Sequence, residues 1–156
     1  MVRRCSHLEK ARLMHEELKK IPILMYHSIS DPKRAGRQFR PFTVSPALFA
    51  EHMKYLYEHG YTSLTVTQLI TLLSGERRRL PERPVVVTFD DGFADFFTDA
   101  LPVLKRYNFV ATVYIPTAFV GRTSTWLWRE KEAIRPILTW GQISEMSTQG
   151  IECGGH

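Results

Sequence analysis

A run of mostly β-branched residues, Val85-Val86-Val87-Thr88-Phe89, stops abruptly at two adjacent carboxylates and a glycine, Asp90-Asp91-Gly92. A strand without hydrophobic alternation is one covered on both faces, and such strands belong to parallel sheets flanked by helices. The rest of the chain follows the same rule. Short apolar or β-branched runs at 21–26, 61–64, 110–115 and 151–153 are separated by segments of helical period, with connections too long for hairpins. That is the pattern of successive βαβ units, so the expected fold class is α/β with a parallel sheet.

The punctuation between these runs is explicit. Ser45-Pro46 is a helix start, with serine as N-cap and proline at the first helical position; Phe49, Met53 and Leu56 line one face before Gly60 ends the helix. A short helix is expected from about Thr67 to Leu73, ending at Gly75, and another from about Ala94 to Tyr107, in which Pro102 either begins a helical segment or kinks a longer one. Asn108 terminates it. Thr139-Trp140-Gly141-Gln142 has the form of a capping box. The stretch from Ser28 to Phe42 reads as a long loop, and Ile21 to Tyr26 as a buried first strand delivering His27.

At 156 residues and 44% hydrophobic content the chain can bury one core, and no shift in composition argues for two domains. Residues 1–20 read as a polar helical appendage, and 21–156 as the folded domain. The net charge is +5, and part of the basic excess sits in two loop clusters, Lys33, Arg34, Arg37 and Arg40, then Arg77, Arg78, Arg79 and Arg83. Neither lies in a nucleic-acid-binding motif, so they read as solvated loops and no nucleic-acid partner is expected. Cys5 and Cys153 form no disulfide framework. No segment approaches the ~20 apolar residues of a membrane span. The N-terminus has no signal-peptide core, which places the chain in the cytoplasm as written, or outside it if the gene start lies elsewhere.

In parallel α/β folds the reactive groups gather beyond the carboxyl ends of the strands. His27, the Asp90-Asp91 pair and His156 all fall there. Single carboxylates at strand ends are usually caps or loop acceptors. Two adjacent ones repel unless a cation or donors compensate, and an Asp with His ligands suits a divalent metal, with zinc the first choice. The second carboxylate is then free to act as a general base, and Gly92 permits a sharp turn.

Thr88-Phe89-Asp90-Asp91-Gly92 resembles the first motif of the polysaccharide deacetylases, carbohydrate esterase family four, also called the NodB homology domain. The resemblance extends to Met25-Tyr26-His27-Ser28, to Phe42-Thr43-Val44-Ser45 and the helix after it, to Ala100–Leu104 and to Ala111–Tyr114. It is nearest the poly-N-acetylglucosamine and chitin deacetylase-like branch. The resemblance implies a distorted (β/α) barrel of seven or eight strands, of which this sequence supplies the first four or five, leaving the domain incomplete at its C-terminus. It implies Asp90 as catalytic base, Asp91 and His156 as metal ligands, His27 as a group near the substrate, and an acetylated oligo- or polysaccharide as partner. His156 matches the first histidine of a His-Ser/Thr-x-x-His motif, and the sequence stops there. A catalytically inactive fragment with a carbohydrate-binding or interaction role is therefore the alternative expectation. A magnesium phosphotransferase of the haloacid dehalogenase type fits less well, because its motif separates the two carboxylates that are adjacent here. Trp140 is expected to pack rather than to offer a stacking surface, and Cys153 to join the core.

Overall fold

The computed structural model describes residues 21–74 and 80–156. The expected appendage at 1–20 and the helix terminator Gly75 lie outside them. Among the described residues there are seven strands: β1 (Ile23–Tyr26), β2 (Ser28–Ile29), β3 (Thr43–Val44), β4 (Thr62–Leu64), β5 (Pro84–Phe89), β6 (Thr112–Ile115) and β7 (Glu152–Gly155). Helices α1 (Pro46–Glu58), α2 (Val66–Leu73), α3 (Leu101–Arg106) and α4 (Trp140–Ser147) follow β3, β4, β5 and β6 in turn.

Strands β1, β4, β5, β6 and β7 form one parallel sheet, and β2 and β3 a separate parallel pair. Strand β5 is its centre. Along one edge it carries β1, from Ile23 opposite Val86 to Tyr26 opposite Phe89. Along the other it carries β4 at its start, with Leu64 opposite Val86, and β6 at its end, with Phe89 opposite Val113. Side chains seal the junction between β4 and β6. The Val110 N–H donates to Ser63 Oγ at 2.7 Å and the Val66 N–H to Thr112 Oγ1 at 3.0 Å.

The uninterrupted apolar run of β5 is explained by this placement. Val85, Val87 and Phe89 face the main core with Phe49, Met53 and Leu104 from the helices, while Val86 packs on the opposite face with Leu64 and Leu69. Helix α1 starts as expected, with Ser45 Oγ accepting from the Leu48 N–H at 3.2 Å, and its buried residues are the expected Phe49, Met53 and Leu56. Both Thr65 and Thr139 close full capping boxes with Gln68 and Gln142. Helix α2 consequently begins one residue before its expected start.

Three expectations are corrected. Strand β1 is not buried: Ile23 and Met25 are each 61% exposed, because β1 is an edge strand with only Tyr26 turned fully inward. The stretch 28–42 is not one featureless loop, since it contains β2 and two 3-10 turns, Pro32–Arg34 and Arg40–Phe42. Trp140 does not pack; at 65% exposure it stands on the first turn of α4. Cys153 is half-buried at the border of the main core. The segment around Pro102 resolves into a π turn, Phe96–Ala100, running into α3 with the proline in its first turn, where a missing N–H is tolerated. Asn108 ends this unit in the left-handed region at φ 54°.

Candidate active site

The motif turn is built from backbone constraints. The Asp90 N–H donates to the Tyr26 carbonyl at 2.9 Å, extending the β1–β5 ladder to the last residue before the turn. Asp91 and Gly92 then adopt φ of 68° and 55°. Aspartate is among the few side chains that tolerate this left-handed region, and glycine enters it freely. Gly92 has a second reason to lack a side chain. A Cβ there would sit 3.1 Å from Ile115 Cγ2 and 3.3 Å from Ile115 Cα, so the turn lies directly on the end of β6. Its carbonyl accepts from the Leu138 N–H at 2.9 Å, which ties it to the segment leading into α4.

The neighbouring strand ends complete the arrangement. The His156 N–H donates to the Ile115 carbonyl at 3.0 Å, so β6 fixes the end of β7 as it fixes Gly92. His156 Nε2 stands 4.0 Å from Asp91 Oδ1. Burial pushes the Asp91 carboxyl above the usual carboxylate range; the charges of His27 and then His156 pull it down, and Asp90 pushes it up again. The four sequence candidates are thus gathered at adjoining strand ends, close enough for each to be felt at Asp91. The His27 ring lies 5.0 Å from that of Phe42, which is half-exposed at the entry to β3.

Among the described residues no three His, Cys, Asp or Glu side chains come together as a metal-holding cluster. The pair that does meet has the right chemistry, one carboxylate and one imidazole. Zinc holds such donors at about 2.0–2.2 Å, so two of them around one ion stand at most about 4.3 Å apart and nearer 3.4 Å in tetrahedral geometry. The 4.0 Å separation fits a shared ion after a small inward movement.

A second group of polar residues supports the site and escaped the sequence reading. Ser28, adjacent to His27 and fully buried, donates its hydroxyl to Asp95 Oδ2 at 2.5 Å and accepts from Arg135 Nη1 at 2.9 Å. Arg135 lies over the Phe39 ring at 4.8 Å. Glu132, only 8% exposed, takes the backbone N–H groups of Gly36, Gln38 and Phe39 at 2.8, 3.0 and 3.0 Å. The loops 30–42 and 121–138 are therefore one packed unit, with Ala35, Phe39, Phe93, Leu127 and Ile137 as its own core. The available signal was charge in the wrong place: Asp95 sits within Phe93-Ala94-Asp95-Phe96-Phe97, where apolar residues dominate.

The family model for polysaccharide deacetylase matches residues 77–156, just over half of the sequence. The chain belongs to the polysaccharide deacetylase family. Among relatives of this deacetylase-family chain, YxkH of Bacillus subtilis is 36% identical over 141 residues, covering 90% of this chain and 43% of its own length. The poly-β-1,6-N-acetyl-D-glucosamine N-deacetylase of Escherichia coli K12 is 31% identical over 146 residues, covering 85% of this chain and 20% of its own length. Of the solved structures, IcaB from Ammonifex degensii superposes with a TM-score of 0.71 at 28% identity, over 88% of this chain and 52% of that one. A de-N-acetylase from Aggregatibacter actinomycetemcomitans gives 0.69 at 28% identity, over 87% and 54%. The sequence thus spans less than half of these two protein relatives and about half of the solved chains. The five-strand parallel sheet is the corresponding portion of the deacetylase fold.

Proposed function

We propose that this chain carries the acid–base and metal-holding side of a hydrolase that removes acetyl groups from N-acetylated carbohydrate, acting on a carbon–nitrogen bond outside any peptide. The observation that carries the reading is the left-handed Asp91-Gly92 turn, which turns Asp91 toward His156 while Asp90 and His27 flank it. Asp91 Oδ1 and His156 Nε2 would hold the ion, for which zinc suits the mixed oxygen and nitrogen donors. A divalent metal there supplies Lewis acidity toward an acetyl carbonyl and toward water.

The chain's own residues do the rest. Asp90, fixed at the end of β5 by its N–H bond to Tyr26, takes the proton from the attacking water. His27, near enough for its charge to be felt at Asp91, would bond the substrate, with Phe42 against its ring. The names of the relatives support an acetylated polysaccharide as the substrate class.

Calorimetry with zinc tests the first part: stoichiometric binding is expected, and its loss in Asp91→Ala. Acetate release from N-acetylated oligosaccharides by the full-length protein tests the second, with Asp90→Asn expected to lower turnover by about 10²–10⁴-fold while zinc still binds. Normal turnover by that variant would remove Asp90 as the base. That only two donors meet among the described residues favours one other outcome. Glycan binding without acetate release would assign the chain a binding role.

A further inference from the structure

The hydrogen bonds around Ser28 have a fixed direction. Ser28 has one proton, and the 2.5 Å contact with Asp95 Oδ2 uses it. Its 2.8 Å contact with Ser30 Oγ therefore runs the other way, with Ser30 donating. Arg135 Nη1 donates to both hydroxyls, at 2.9 Å each. The result is a one-way chain from guanidinium through two hydroxyls to a carboxylate. It joins three segments: the one delivering His27, the entry to the π turn that follows Asp90-Asp91-Gly92, and the loop leading to α4.

This chain is badly made if its purpose is stability. Asp95 Oδ1 and Arg135 Nε are both buried with no partner among the described residues. The two charges make no direct ion pair and meet across the hydroxyls, although the Arg135 charge still draws the Asp95 carboxyl down. Buried charged groups so arranged commonly cost more in desolvation than they return, and replacement by packed apolar side chains is often neutral or stabilising. What the arrangement does provide is orientation. Ser28 is held from two sides, and His27 is the residue before it, between the last residue of β1 and the first of β2.

We propose that Arg135, Ser28 and Asp95 are positioning residues that set His27 opposite Asp91. The proposal rests on the deacetylase reading only for its effect on turnover. Arg135 reaches Ser28 from outside the sheet and also lies over Phe39 and Phe93, at 4.8 and 5.9 Å. The loop bearing Arg135 is pinned beside the motif turn by the Ala94 N–H to Pro136 carbonyl bond at 2.9 Å. Any displacement of that loop is therefore transmitted to His27 and to the motif turn together.

The test uses the full-length protein with histidine-selective 15N labelling, comparing the unsubstituted form with Arg135→Lys and Asp95→Asn. The imidazole resonances of His27, assigned with His27→Gln, are expected as one sharp set in the unsubstituted protein and as shifted or doubled sets in both variants. Turnover of an N-acetylated oligosaccharide is expected to fall at least 10-fold with KM changed less than about 3-fold. Ser28→Ala removes a single hydroxyl and carries the same readouts should either charged variant fail to fold. Unchanged His27 resonances and unchanged turnover in folded variants, with only the melting temperature altered, would overturn the proposal. Absence of acetate release from the unsubstituted protein would refute the deacetylase reading instead, while the His27 spectra would still decide whether the chain positions it.

Discussion

Removing the Glu132 carboxylate should unfasten the two loops that stand beside the site, and the cost can be worked from its three acceptor bonds. Hydrogen bonds to a charged partner contribute about 1.5–3 kcal/mol each, so a simple sum over Gly36, Gln38 and Phe39 would exceed 4 kcal/mol. Solvent reduces that. Gly36 is half-buried and Gln38 exposed, so water takes over at both N–H groups in Glu132→Ala, whereas the Phe39 N–H belongs to a residue only 7% exposed. One buried orphan donor at about 1–3 kcal/mol, plus the partial loss of two exchanged bonds, gives about 2–4 kcal/mol of destabilisation.

A companion substitution makes the reasoning sharper. A Cβ on Gly36 would fall inside contact distance of both Glu132 carboxylate oxygens, so Gly36→Ala should expel the carboxylate and cost a similar amount. In the Glu132→Ala background there is nothing to expel. Gly36 is not in the left-handed region, and alanine there should be neutral or gain about 0.4–1 kcal/mol by restricting the unfolded chain. Equilibrium urea unfolding of the four proteins, read by tryptophan fluorescence and far-ultraviolet circular dichroism together, measures the cycle. Additive effects of the two substitutions, or a Glu132→Ala cost below about 0.5 kcal/mol, would refute the carboxylate as the fastener.

Three further outcomes are expected. Gly92→Ala should cost about 1–2 kcal/mol for the left-handed backbone alone and more from its contact with Ile115, and zinc binding should weaken as the turn shifts; calorimetry and denaturant unfolding check both. Thr139→Ala should destabilise the fold by about 1 kcal/mol through loss of the α4 cap, seen in the denaturant midpoint. Burial holds the Asp95 carboxyl above its usual range, so the folded state keeps that proton more tightly than the unfolded chain; the associated stability is full below the unfolded value of about 3.9 and is lost as pH rises through the folded one. Melting temperatures from pH 4 upward should accordingly fall less steeply for Asp95→Asn than for the unsubstituted metal-free protein, and parallel curves would contradict this.

What could be read from the sequence was whatever is enforced locally. Strand β5 announced itself because both its faces are covered, and α1 and α4 because their first turns satisfy their own donors through Ser45 and through Thr139 with Gln142. The site was legible for a related reason: strand ends are punctuated, and three of them finish in His27, Asp90-Asp91 and His156. The missing parts depend on partners distant in sequence. Glu132 meets residues 93–96 positions away, and Asp95 meets Ser28 across 67, so neither pairing leaves a local pattern. The exposure of Ile23 and Met25 was hidden likewise, since an apolar run does not reveal which strand will end at an edge.

The single central strand has a consequence for how this polypeptide comes into being. Strands β1 and β4 and helices α1 and α2 all leave the ribosome before β5, yet both strands find their ladder partners only on it. Until about residue 89 is free, the emerging chain carries apolar stretches with nowhere to pair, a period in which it is open to aggregation. The segment that ends this waiting is Val85–Phe89, the same one that carries Asp90 and Asp91 into place. Assembly and the candidate site are thus bound to one stretch of sequence, and a lesion in Val86–Phe89 would be felt at birth before it was felt at the site.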